Sequence, residues 1–199
     1  MTDDGTLNDR GQAFPIYVVV VAGLLFAAFA LFVVGRAGVT RSNAQGAADA
    51  AALAAARDAR SHLTPGMDFA TFQPKDWEDF LLGGRFDHPE RACGKAEDFA
   101  ARNDATVSCK RALLRFTVEA ETKGTVGDSV IPGTGAIHGK ATATAVVEPR
   151  CTLGSLPAEE PKPASVHLDC RGADVVIDPL KPEPWGTLAK SLFDVRLVD

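Results

Sequence analysis

The chain has 199 residues, with 21 Lys and Arg against 26 Asp and Glu and a formal net charge of −5. Setting aside residues 1–10, where Asp3, Asp4 and Asp9 face Arg10, leaves 20 basic and 23 acidic residues. That balance offers no basic stripe for nucleic acid and is too even for an acidic tail. Hydrophobic residues make up 46% of the chain but crowd together, and no charged side chain occurs from Gly11 to Gly35.

After a short leading segment (1–12), the window Ala13 to Val34 reads AFPIYVVVVAGLLFAAFALFVV, with fourteen Val, Leu, Ile or Phe residues. About 20 apolar residues cross a bilayer. At roughly −0.3 to −0.6 kcal/mol each, these side chains favour insertion by about 4–8 kcal/mol before polar penalties. Pro15 falls in the first turn, where its missing N–H costs nothing, and Tyr17 falls where an interfacial aromatic belt is expected. A soluble core helix with no polar face would stay largely unburied in a domain this small. A cleaved signal peptide has a shorter apolar core behind a basic segment, whereas this leading segment is acidic. The run therefore predicts an uncleaved, single-pass transmembrane helix over 13–35.

Orientation draws on two opposed signals. Arg36 and Arg41 against Arg10 put the C-terminal side in the cytoplasm by one residue. Four cysteines (Cys93, Cys109, Cys151 and Cys170) all lie beyond the span and read as two disulfides of an oxidising compartment. Four unrelated thiols in a reduced domain are the alternative. The cysteines carry more weight, which predicts residues 36–199 outside. None sits in a Cys-x-x-Cys pair, which argues against zinc-ribbon or thioredoxin-like chemistry. Of the three possible pairings, the local one, Cys93–Cys109 with Cys151–Cys170, is favoured because short loops close most easily.

No proline occurs between Pro15 and Pro65, and the tract from Ala44 to Ala59 is dominated by alanine, the best helix former. One helix is expected from about residue 16 to 61, its apolar part continuing into an Ala-rich projecting helix over 36–62, with Gly35, Gly38 and Gly46 as places for a bend. The small residues Gly35, Gly38, Ala44, Ala48, Ala52 and Ala55 let another element approach closely. They predict packing against the chain's own domain or against neighbouring copies. A spacer that only keeps distance is the other reading.

A small domain of helices and strands is expected over 63–150. It begins with a loop and a short helical piece carrying Asp76, Trp77, Phe80, Leu81 and Leu82, stopped at Gly83-Gly84. Residues 93–104 read as a helix with Ala96, Phe99 and Ala100 on one side, and Asn103-Asp104 turn the chain into a strand. Leu114, Phe116, Val118 and Ala120 alternate with Arg115, Thr117, Glu119 and Glu121, the period of a half-buried strand. A glycine-rich connection, GTVGDSVIPGTGAIHG, leads to a second strand over 140–148, a natural antiparallel partner. In the last segment, 151–199, PAEEPKP at 157–163 is too rich in proline for helix or central strand. Cys151 and Cys170 bracket it. A short strand over 174–178 and a helix from Trp185 to Val195 close the chain. The class is α+β.

No reaction centre emerges. His62, His88, His138 and His167 lack partners at metal-ligand spacing and read as exposed loop residues. Ser129 and Ser155 sit in no nucleophile elbow, and the glycine-rich connection lacks the Gly-Lys-Ser/Thr ending of a phosphate loop. Asp76, Glu78 and Asp79, like Glu159 and Glu160, read as solvated carboxylates. Neither haem-attachment nor calcium-loop signatures occur, so no cofactor is expected and the chain reads as non-enzymatic.

Three stretches resemble the TadE/TadG-like proteins of bacterial Tad-type (tight adherence) pilus assembly: RGQAFPIYVVVVAGLLFAAF from Arg10, QGAADAAALAAARDA over 45–59, and AEDFAARNDATVSC over 96–109. The chain departs from related pseudopilins at Ile16, where many carry a glutamate five residues after the glycine, and Pro15 precedes it. Cleavage after Gly11 is accordingly not expected. The resemblance implies a membrane-anchored minor pilin, pseudopilin-like subunit or assembly factor at the bacterial cell surface. Its partners would be membrane lipid and other pilin-like or Tad-apparatus subunits, in a homo- or hetero-oligomer. A single-pass anchored extracellular binding module is the alternative.

Overall fold

The computed structural model describes residues 13–85, 89–127, 134–154, 165–180 and 185–198. The segment 1–12, His88, Ser129, Ser155, Glu159, Glu160 and the proline-rich 157–163 lie outside them.

Alanine-rich and aliphatic sequence without internal proline forms a single helix, α1 (Ala13–Ser61). Its 49 residues span about 73 Å at 1.5 Å per residue, and it runs unbroken through Gly35, Gly38 and Gly46. A 3₁₀ turn (Phe69–Thr71) and α2 (Pro74–Leu81) follow. Pro74 occupies the first helical position, where its fixed φ suits the start. The Asp76 carboxylate accepts the Gln73 N–H at 2.8 Å and pairs with Arg85. Asp76 is therefore a helix cap, more than the solvated carboxylate its sequence neighbours imply. α3 (Pro89–Arg102) ends where the Asn103 side chain donates to the Phe99 carbonyl at 2.8 Å and Asp104 takes a left-handed φ of 49°.

The chain then forms a four-stranded antiparallel sheet in the order β1 (Ala105–Ala112), β2 (Arg115–Thr125), β3 (His138–Pro149), β7 (Phe193–Val198). Phe116, Val118 and Ala120 of β2 and Ala143, Ala145 and Val147 of β3 are buried, on the face that packs against α1. Charged and hydroxyl side chains occupy the other face, where Lys110 pairs with Glu119 and Thr117 meets Thr144 at 3.1 Å. Beyond β3, β4 (Cys151–Leu153), β5 (Val166–Cys170) and β6 (Ala173–Ile177) make a second antiparallel sheet. Arg171 and Gly172, both at positive φ, join β5 to β6 in the manner of a tight type I′ hairpin.

α4 (Trp185–Leu192) is shorter than the helix expected to reach Val195, because residues 193–198 pair with β3, Val195 opposite Val147. An open sheet edge with unpaired backbone groups offered FDVRLV a ladder that a helix end could not. The strand before Leu114 is also a full eight residues, closed into a hairpin by Leu113 at φ 53°. An aromatic cluster of Phe69, Phe72, Trp77 and Phe80, with Phe193 against Phe80 at 5.4 Å, fills the end of the domain near α2. The observed class is α+β.

Candidate membrane anchor and assembly face

Helix α1 has two halves. From Phe14 to Val34 most large side chains are exposed: Phe26 is 75% exposed, and Leu24, Leu25, Leu31 and Phe32 are exposed as well. The most apolar 18-residue window has a mean hydropathy of 2.9 and is 0% buried. An apolar surface this extensive far exceeds what monomeric soluble proteins leave in water. The helix is long and apolar enough to cross a membrane.

From Ala44 onward the pattern inverts. Ala44, Ala47, Ala48, Ala51, Ala52, Ala55, Ala56 and Ala59 are all buried, and the helix packs on β2, β3 and α3. Residues with one methyl group let the sheet and α3 approach the helix axis closely, and α3 answers with its own Ala92, Ala96 and Ala100. The expected packing residues therefore divide. Ala48, Ala52 and Ala55 lie inside the chain's own core cluster and Ala44 is buried, whereas a Cβ added at Gly35 or Gly38 would meet nothing within 4 Å.

The two halves meet where the β2–β3 connection reaches α1. The Arg36 guanidinium donates to the Val126 carbonyl at 3.5 Å. Gly127, at φ +94°, lies so close that an added Cβ would sit 2.9 Å from that guanidinium. Four residues along α1 from Arg36, β3 begins against the helix: a Cβ at Gly139 would fall 2.5 Å from the Thr40 carbonyl oxygen, so only glycine fits this approach. Beside the contact, a cleft of about 410 Å³ is lined by residues including Ser42, Asn43, Asn103 and Thr122.

Both disulfides take the local pairing. Cys93–Cys109 ties α3 to β1, and Cys151–Cys170 joins directly opposed residues of β4 and β5. The second bridge spans the proline-rich segment. The histidines are less isolated than their sequence neighbours imply. His62 at the end of α1 contacts Asp58, four residues earlier, at 3.5 Å, and the same carboxylate faces Arg91 at 3.8 Å. His167 lies 3.3 Å from Asp174 across the β5–β6 pair, and the His138 ring meets the Thr122 carbonyl at 2.7 Å. Among the described residues no group of three His, Cys, Asp or Glu side chains could hold a metal ion.

Arg60, near the end of α1, has its pKa pushed down, first by burial and then by Arg57, with Asp194 pulling it back. Glu148 is held below its ordinary value, chiefly by the hydrogen bond from Arg196, which makes a two-pronged contact at 2.6 and 2.9 Å. The Glu148–Arg196 pair is a structural ion contact across the β3–β7 ladder.

No curated protein and no solved structure matches the chain. The model of one family does, and it covers the anchor and most of the alanine half. That partial match points to pilus assembly. Over residues 11–58 the chain matches the family described as "Putative Flp pilus-assembly TadE/G-like", and this match, with the one membrane-span-like helix among the described residues, supports a Tad-associated component.

Proposed function

We propose that the chain is a minor pilin, pseudopilin-like subunit or assembly factor of a Tad-type pilus or related secretion apparatus, held in the membrane by residues 13–35 with residues 36–199 outside the cytoplasm. The observation that carries this reading is the inversion along α1, large apolar residues exposed and small ones buried. Water would favour the reverse, so the first half is made for a non-aqueous neighbour. The two disulfides support the outside placement, since such bonds persist in oxidising compartments.

Because the alanine half is occupied by the chain's own sheet, docking on other subunits falls to the exposed half and to Gly35 and Gly38. There, small residues permit close helix–helix approach. Cross-linking in native membranes followed by affinity isolation tests this. Related anchored Tad subunits should co-isolate with the wild type, and Gly35→Leu with Gly38→Leu should reduce their yield several-fold without altering the domain's unfolding. Recovery of the wild-type chain alone, as a monomer, would contradict the assembly role and favour an anchored binding module.

A further inference from the structure

We infer that the two described ends of the β2–β3 connection, Val126–Gly127 and Ile137–Gly139, form a foot that rests in the lipid headgroup layer, so that the exposed domain stands on the membrane at a fixed height and tilt. This rests on the anchored reading above and adds to it a second, non-helical contact with lipid.

The argument is one of height. The uncharged run of α1 ends at Gly35, and between it and Arg41 the only charge is Arg36, with Ala37, Gly38 and Val39 between. Val39 is still 59% exposed. The hydrocarbon boundary therefore falls between about Val34 and Thr40, a stretch of roughly 9 Å at 1.5 Å per residue. Headgroups add about 5–8 Å on each side of a 30 Å core. The contacts of Arg36 with Val126 and Gly127, and of Thr40 with Gly139, fall inside that same stretch. These described ends cannot be raised from it without breaking the Gly139 approach, where backbone meets backbone.

Its chemistry suits that zone. Ile137, 52% exposed, lies in this connection, its carbonyl accepting the Val126 N–H at 2.9 Å. Arg36 is long enough to keep its charge among phosphates while its stem lies along apolar surface, as basic residues at membrane boundaries do. The β1–β2 turn at Leu113, by contrast, lies at the other end of β2 (Arg115–Thr125) from that contact.

The test uses the full chain reconstituted in phosphatidylcholine–phosphatidylglycerol vesicles whose acyl chains carry bromine at shallow or deep positions. Tryptophan is introduced singly as Ile137→Trp, Phe26→Trp and Leu113→Trp, and each signal is read against the wild type. The foot predicts that Ile137→Trp is quenched more by shallow than by deep bromine and that Leu113→Trp is not quenched. Phe26→Trp should be quenched most by deep bromine. Quenching of Phe26→Trp without any at Ile137→Trp would overturn the foot and leave the anchor standing. Absence of quenching at Phe26→Trp would remove the anchor and the foot together.

Discussion

Residues 14–34 and 44–59 belong to one continuous helix, yet they solve opposite problems. The first carries valine, leucine and phenylalanine, mostly exposed; the second carries alanine, sealed under a sheet and a second helix. Burying a large aliphatic side chain contributes about 1.5–3 kcal/mol, far more than one alanine methyl. A fold shaped only by water would place the large residues inside. The difference teaches that side-chain size on α1 is matched to the neighbour. Bulk lies where the domain does not pack, as the proposed anchor requires, and minimal bulk allows the backbone of the chain's own domain to close in.

The sharpest way to break the comparison is to remove bulk from each side. Phe80→Ala, in the fully buried aromatic cluster, should destabilise the domain by about 3–5 kcal/mol in denaturant unfolding. Phe26→Ala should leave that unfolding unchanged and weaken retention in vesicles. Equal effects on domain stability would mean that the exposed half is also part of a protein core.

Next in size is the tie between α3 and β1. Replacing Cys93 and Cys109 together by serine opens a loop whose ends are 16 residues apart and should cost about 3 kcal/mol in chemical unfolding. The span should stay in the membrane.

Adding bulk sharpens the contrast from the other direction. Ala52→Leu overfills a site with no exposed surface and should cost about 1–3 kcal/mol, read as a drop in the domain's melting temperature. Ala28→Leu, in the exposed half, should leave that temperature where it is.

Much of this was legible in residues. The anchor showed in a charge-free run from Gly11 to Gly35, and the paired strands in the alternation of Phe116, Val118 and Ala120. The local disulfides follow from loop closure. What escaped depends on contacts distant in sequence. FDVRLV at 193–198 is a strand because β3 offers an edge 48 residues away from Arg196 at Glu148, and no local pattern separates it from a helix end. Arg36 and Val126 are 90 residues apart, so the meeting of anchor and domain cannot be read from either segment. Asp58 beside His62 was within reach, since four residues on a helix face each other; the signal was there and lay across an expected helix boundary.

The smallest effect lies at the far edge of the sheet. Glu148 is held below its ordinary value by Arg196, so the pair adds stability above the unfolded carboxylate pKa and loses it as pH falls through the depressed one. Both groups are solvent-exposed and therefore screened. Arg196→Ala should move the Glu148 titration up toward its ordinary value by NMR while barely changing the acid limb of unfolding.

The central claim, a lipid-held helix carrying a domain outside the cytoplasm, meets its most direct test in membranes taken from the native cell and washed with alkaline carbonate. Non-reducing peptide mapping of the protein retained there should find Cys93 linked to Cys109 and Cys151 to Cys170. Loss of the protein in the wash, or four free thiols in the retained chain, would contradict it.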